Sequence, residues 1–509
     1  MKTVRVVIIG AGVAGLAAAV ALAARGLDVT VLERAATPGG KMRQVEVDGA
    51  RIDSGPTVFT MRWVFDELFA EAGARLSDHI TLRPADLLAR HAWADGKRLD
   101  LFADIDRSAD AIAAFAGPAE ARGYRAFSTR AERIYRTLEG PFIRTAQPSP
   151  LSLIRAAGVR DMTATSPFST LWKALGEHFR DPRLRQLFGR YATYCGSNPY
   201  FAPATLMLVA HVEREGVWLV EGGMYRIAAG LAAVAQASGA RLRYGAEVAS
   251  IETAGGRASG VVLADGERIA ADAVLFNGDV AALTHGLLGP AVTRAAAKRD
   301  ASARSLSAVT WSMLARTSGF PLARHTVFFS SDYAAEFEAI QAGRLPGEPT
   351  VYICAQDRSD DSEAPPTGPE RMLILVNAPA RGDSRPFDAS EIAPCEDRTF
   401  ALLARCGLTV ERETAQAVIT TPTQFHRLFP ATGGALYGSA THGAMSSFAR
   451  PHAKSAIPGL YLAGGSVHPG PGIPMAAMSG RLAAAKLIAD LGSTRRSRTA
   501  ATPGGTSTG

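Results

Sequence analysis

Cysteine is scarce. Cys195, Cys354, Cys395 and Cys406 are the only four in 509 residues, and no two form a C-x-x-C pair. That argues against a disulfide framework and for reduced thiols in a cytosolic protein. No metal-ligand set is assigned. Long hydrophobic runs are also missing. Apart from the stretch ending at Ala24, none reaches 18 residues without Gly or a charge, so a transmembrane bundle is not expected. Lysine is rarest in its class: seven of the 55 basic residues are Lys, the rest Arg. No basic run reaches five residues, and the densest cluster is Arg495-Arg496-Ser497-Arg498. With a net charge of only +7, nucleic acid is not an expected partner, whereas a basic face toward anionic lipid is compatible with the balance. What is abundant is apolar material, 47% against 20% charged, enough for a large core spread over roughly three lobes.

The N-terminus carries the first positive signal. Val4 to Ile9 is a β-branched run, followed by Gly10-Ala11-Gly12-Val13-Ala14-Gly15. Ala14 to Ala24 is Ala/Leu-rich and helical, Gly26 stops it, and Val29 to Leu32 is the next strand. Three glycines in six positions and the closing Arg25 disfavour a secretory signal. In a βαβ unit each glycine has a task. Gly10 permits the tight turn, Gly12 admits a pyrophosphate, and Gly15 lets helix and strand pack closely. Glu33, 18 residues after Gly15, is placed to accept hydrogen bonds from a ribose diol.

Two further turns, Pro38-Gly39-Gly40-Lys41-Met42 and Asp53-Ser54-Gly55-Pro56-Thr57, suggest backbone wrapped around a long cofactor. Residues 75 to 215 are expected to be helical, with helices at Ala109–Ala116, Tyr124–Leu138, Leu171–Phe179 and Arg183–Tyr194. Residues 216 to 278 return to α/β patterning, including a strand over Glu247 to Ile251 and a hairpin at Asp265-Gly266. Thr310–Leu314, Thr326–Phe329, Thr350–Ala355 and Leu373–Asn377 form strands of a separate sheet, and Asp357–Glu370 a solvated loop. Gly459 to Gly465 is a last strand ending in glycines, before a helix from Ala476 to Leu491. A nicotinamide dehydrogenase does not need that second strand-to-helix turn. A flavoprotein does, since a second helix N-terminus can face the flavin ring.

These residues resemble a known family. Gly10 to Gly15, Glu33, Pro38-Gly39-Gly40-Lys41 and Asp53-Ser54-Gly55-Pro56 are similar to the N-terminal signature of the FAD-dependent phytoene desaturases, within the amine-oxidase-like flavoproteins. Tyr461 to Pro474 looks like their C-terminal motif, departing at Val467 and Pro471. Glu213 to Trp218, Gly222-Gly223-Met224, His325 to Phe329 and Ala355 to Arg358 are similar to the 1-hydroxycarotenoid 3,4-desaturase branch of phototrophic bacteria. The resemblance implies an α/β fold with a Rossmann-like FAD-binding domain of the amine-oxidase-like (glutathione-reductase-type) class. An inserted mixed-sheet substrate domain and a helical, membrane-facing lobe accompany it. The FAD domain would take 1–75, 216–285 and 430–491, the helical lobe 76–215 and the substrate sheet 286–429, leaving 492–509 as a disordered tail.

The implied activity is desaturation of an acyclic carotenoid with hydride transfer to FAD. A quinone or oxygen would reoxidise the flavin, and the protein would be cytoplasmic and peripheral at a membrane surface. Expected FAD contacts are Gly10, Gly12, Gly15, Glu33, Gly40, Lys41, Pro56, Val248, Gly465 and Met475. Proton loss from the substrate calls for an acid–base group, with His468, His442, His211 and Glu213 as candidates. A hydroxylated substrate end also needs a polar partner, which the sequence does not identify. Rival readings are a phytoene-type desaturase of plain carotenes, a reduced-FAD isomerase and a non-catalytic lipid-binding protein.

Overall fold

The computed structural model describes residues 4–166, 168–359 and 366–500. It opens with strand β1 (Arg5–Ile9), helix α1 (Val13–Ala23) and strand β2 (Asp28–Leu32). Strands β3 (Leu87–Ala92) and β4 (Arg98–Phe102) follow, then helices α2 (Pro118–Leu138), α3 (Pro150–Ala164) and α4 (Leu208–Glu215). Helix α5 (Tyr225–Ala237) leads to β5 (Arg241–Arg243) and β6 (Ala273–Phe276). Next come β7 (Ser307–Ala315), β8 (His325–Phe328), helix α6 (Tyr333–Gln341), β9 (Val351–Ala355), β10 (Glu370–Ala378) and β11 (Gln416–Thr420). Strand β12 (Leu460–Leu462) and helix α7 (Ile473–Ala500) end the described chain. Residues 360–365 of the expected loop and 501–509 of the expected tail lie outside the described residues. The last helix continues to Ala500, past the Leu491 boundary read from the sequence.

Five strands form a parallel sheet in the order β12-β6-β1-β2-β5. Both faces are covered, which is why β1, β2 and β6 read as nearly continuous Val, Ile and Leu runs. The first, middle and last parts of the chain therefore share one sheet, and the two ends of the described chain meet. Helix α1 is buried at every one of its 11 positions. Its alanines give it two thin faces, one against the sheet and one against α7. A Cβ at Gly480 would come within 2.1 Å of the Ala14 carbonyl oxygen, so α1 and α7 cross backbone against backbone.

The second sheet has seven strands in the order β11-β7-β10-β9-β8-β3-β4, antiparallel except for the β8–β3 pair. The four expected strands match β7, β8, β9 and β10 to within a residue where they overrun, at Phe329 and Thr350. Strands β3 and β4 were not expected, because they lie in the stretch read as helical. Their alternation is masked by Arg90 and Asp100, which pair bidentately at 2.8 and 2.7 Å inside the protein. The expected Arg183–Tyr194 helix also ends early. It stops at Gly189, and a tighter 3₁₀ turn covers Arg190–Cys195, with consequences for the site below.

Because the α1–α7 crossing has no room for a side chain, Gly480→Val is expected to destabilise the fold by about 1–3 kcal/mol, the usual cost of overpacking. Thermal unfolding of the variant with and without flavin measures this. Both transitions should fall, and the flavin-loaded one should fall further.

Candidate active site

One cavity of about 990 Å³ lies between the two sheets and the helical segment, at the top of the range of roughly 300–1,000 Å³ usual for ligand sites. At one end stands the glycine cradle. Gly10 has φ +98°, a Cβ on Gly15 would sit 2.1 Å from the Gly10 carbonyl oxygen, and one on Gly40 would sit 3.2 Å from the Gly12 Cα. Gly12 caps α1 without any side-chain hydrogen bond, so the first-turn N–H groups are available to an anion. Glu33 accepts from the Ala11 N–H (2.7 Å) and the Ala35 N–H (2.9 Å). A carboxylate has capacity for more, and Glu33 lines the cavity together with Val248, Pro56, Gly465 and Met475.

Two cations, the half-buried Lys41 and the buried Arg450, flank this end. The Lys41 ammonium donates to the Leu436 carbonyl at 2.5 Å. Burial pushes its pKa down, and Asp279 opposes the shift. Arg450 donates to the carbonyls of Gly465 (3.0 Å), Ser439 (2.7 Å) and Tyr437 (3.3 Å), and burial lowers its pKa to about 10. Both side chains are satisfied by neutral carbonyls, so their positive charge is available to an anionic ligand. Glycine cradle, ribose acid, two cations and a second helix N-terminus at Ile473 on one cavity together fit FAD. Gly10, Gly12, Glu33, Gly40 and Lys41 line the dinucleotide part. Gly15 does not line the cavity but lets α1 approach β1.

The acid–base candidates fare differently. His468 does not line the cavity. Its Nε2 lies 3.0 Å from the Phe142 carbonyl and 2.9 Å from the Thr145 carbonyl, so the ring ties down the turn after α2. Burial lowers its pKa to about 4, and a neutral ring donating to carbonyls is a strut rather than a proton acceptor. His442 accepts the Asn198 N–H at 3.0 Å and packs against Phe201. His211 turns away, between Arg214 (3.1 Å) and Glu215 (3.4 Å). Of the four, only Glu213 lines the cavity. Tyr191 donates to its Oε2 and Tyr194 donates to Oε1 at 3.3 Å. Burial pushes its pKa up.

Several cavity groups were not picked out in the sequence. Arg190 donates to the Tyr194 hydroxyl at 2.6 Å and lies over the Tyr194 ring. The 3₁₀ turn makes this arrangement, which a continued α-helix would not. On the sheet side, the Tyr352 hydroxyl lies 2.7 Å from Thr57 Oγ1 and 2.8 Å from His325 Nδ1. Cross-strand pairing sets Thr310, Leu375 and Tyr352 in one row on this face. Behind the row, Glu336 accepts from the Thr350 N–H (3.1 Å) and the Asn377 amide (3.2 Å). Asp53 serves the scaffold: its carboxylate accepts the N–H groups of Met224 (2.6 Å) and Tyr225 (3.3 Å), capping α5.

This combination of fold and cradle defines a flavoprotein. The chain belongs to the flavin-containing amine oxidoreductase family, whose model matches residues 13–488. Within it, the chain is 59% identical to the hydroxyneurosporene desaturase of Rubrivivax gelatinosus, over 100% of this chain and 98% of that one. It is 48% identical to the protein of the same name from Cereibacter sphaeroides, over 97% and 99% of the two chains. Among solved structures it resembles putrescine oxidase bound to putrescine, with a TM-score of 0.59 and 17% identity over 96% and 99% of the chains, a likeness of fold.

Burial raises the Glu336 pKa to about 7, so the folded protein holds this proton more tightly than the unfolded chain. The resulting stability is fully present below the ordinary carboxyl value and is lost as pH rises through about 7. The melting temperature is expected to decline by a few degrees across that window. Glu336→Gln should flatten the decline, as read by thermal unfolding along a pH series.

Proposed function

We propose that this chain removes two hydrogens across the C-3,4 bond of an acyclic 1-hydroxycarotenoid; relatives named hydroxyneurosporene desaturase support desaturation of a hydroxylated carotenoid. The observation that carries the reading is the continuity of one cavity from the dinucleotide cradle to an apolar wall. That wall includes Leu138, Phe142, Ile143, Leu206 and Val209. FAD, when bound, supplies the hydride acceptor. The wall orients the polyene and excludes water, which is most of what an unactivated C–H bond requires. The second hydrogen leaves as a proton, and Glu213 is the acceptor. Its raised pKa makes it a stronger base than an exposed carboxylate, and its two tyrosine partners fix its orientation. A quinone or oxygen then takes the electrons.

The protein works as a cytoplasmic, peripheral membrane enzyme in this reading. No helix among the described residues is long and apolar enough to cross a membrane. Leu153 and Ala444 line the cavity, and their neighbours Leu151, Ile154 and Met445 are exposed, as is Phe168 at 89%. Exposed apolar side chains beside a cavity wall suit uptake of a lipid-dissolved substrate.

The flavin-loaded protein, given a 1-hydroxycarotenoid in liposomes, is expected to yield a product lighter by two hydrogens and absorbing at longer wavelength. An isomer of unchanged mass would overturn the reading. Glu213→Gln should lower turnover by about 10²-fold or more while flavin content holds. Sedimentation with anionic phospholipid vesicles tests the surface. The Leu151→Asp, Phe168→Asp double variant should stay largely in the supernatant.

A further inference from the structure

We propose that Tyr333 and Thr310, backed by Asn377 and Thr350, form the seat of the substrate's hydroxyl group and make the enzyme select a hydroxylated end. This inference rests on the substrate class proposed above. All four residues line the cavity. Tyr333 is 6% exposed and Thr310 2%. Among the described residues, neither the Tyr333 hydroxyl nor Thr310 Oγ1 has a hydrogen-bond partner. Buried hydroxyls are normally satisfied, and each one left alone is destabilising. Two of them on the wall of one ligand cavity mark hydrogen bonds that a ligand can complete.

The fold brings them to one end of the sheet face. Thr310 pairs with Leu375, and Asn377 is the next residue of β10 on the same face. The Val351–Val376 pairing sets Thr350 beside Asn377. Glu336, in the first turn of α6 with Tyr333, bonds both Thr350 and Asn377, which holds that turn over this end of the sheet. The Asn377 amide nitrogen is spent on Glu336, so its oxygen is left as an acceptor. A tertiary alcohol needs one donor and one acceptor. Tyr333 O–H supplies the first, and Thr310 Oγ1 or the Asn377 oxygen the second. The polar group around Glu213 is less suited, because the hydroxyls of Tyr191 and Tyr194 are already committed to that carboxylate.

The test compares kcat/KM for a 1-hydroxycarotenoid and for the corresponding plain carotene, in the wild type, Tyr333→Phe and Thr310→Val. Both substitutions keep volume. The ratio of the two constants is expected to fall roughly 10- to 100-fold in Tyr333→Phe and less in Thr310→Val, since a site built for a hydroxyl discriminates by it. Because neither hydroxyl is bonded in the protein, the melting temperature of each variant should hold or rise. A wild-type preference that survives both substitutions overturns the seat, as does a drop in melting temperature in both variants, which would show structural hydrogen bonds. Should Tyr333→Phe not fold, Thr310→Val carries the same comparison. A wild type that desaturates neither substrate overturns the proposed function itself, a result distinct from the failure of the seat.

Discussion

The site depends on one close contact. Helices α1 and α7 cross where Gly480 meets the Ala14 carbonyl oxygen, with no space for a methyl group. This brings the beginnings of two helices, far apart in sequence, onto the same cavity. One N-terminus, at Gly12, would receive the pyrophosphate of the cofactor. The other stands at Ile473, beside the Gly464-Gly465 turn. Alanine suits α1 for the same reason: a bulkier helix buried on all sides would hold the sheet and α7 apart. The parallel sheet supplies the rest, since β12 and β1 sit two positions from each other across β6.

The cavity differs from wall to wall. The helical side is mostly aliphatic and aromatic, with Arg190, Tyr194 and Glu213 as a polar group among them, while the sheet side carries Thr310, Thr350, Tyr352 and Asn377. A β-sheet face is well suited to such a row, because alternate residues of neighbouring strands come into register and share a surface. Glu336 and His325 stand behind it and fix its side chains through hydrogen bonds to Asn377 and Tyr352. Burial lowers the His325 pKa to about 3, so that support is neutral.

Much of this was legible in the chain, and the parts that were not share a cause. The nucleotide cradle is local: Gly10, Gly12, Gly15 and Glu33 fall within one βαβ unit whose spacing is set by strand and helix lengths. The second sheet was readable from the apolar runs of β7 to β10. Strands β3 and β4 were hidden because a buried Arg90–Asp100 pair looks like surface in a linear pattern. The orientation of the histidines was not legible, because residue type does not say which way a ring turns. His468 sits in the right turn, yet spends its Nε2 on the Phe142 and Thr145 carbonyls. Tyr352 was missed because its partners, Thr57 and His325, come from other elements, and Arg190 because its pairing with Tyr194 needs the 3₁₀ turn rather than the expected α-helix. The alternation of Arg with aromatics around Arg190 was the available signal, and it lost its meaning once the stretch was taken as one continuous helix.

Asp53 has a consequence of its own. Its carboxylate caps α5, while its backbone N–H and carbonyl are both held by the Gln356 side chain, at 3.0 and 2.8 Å. Gln356 immediately follows β9 in the second sheet. One residue thus rivets the nucleotide-binding half to the sheet that roofs it. Two hydrogen bonds and a helix cap gathered on one residue resist parting of the seam between the two sheets, whereas the helical segment carries a break of its own, in α3 at Gly158 (φ +77°).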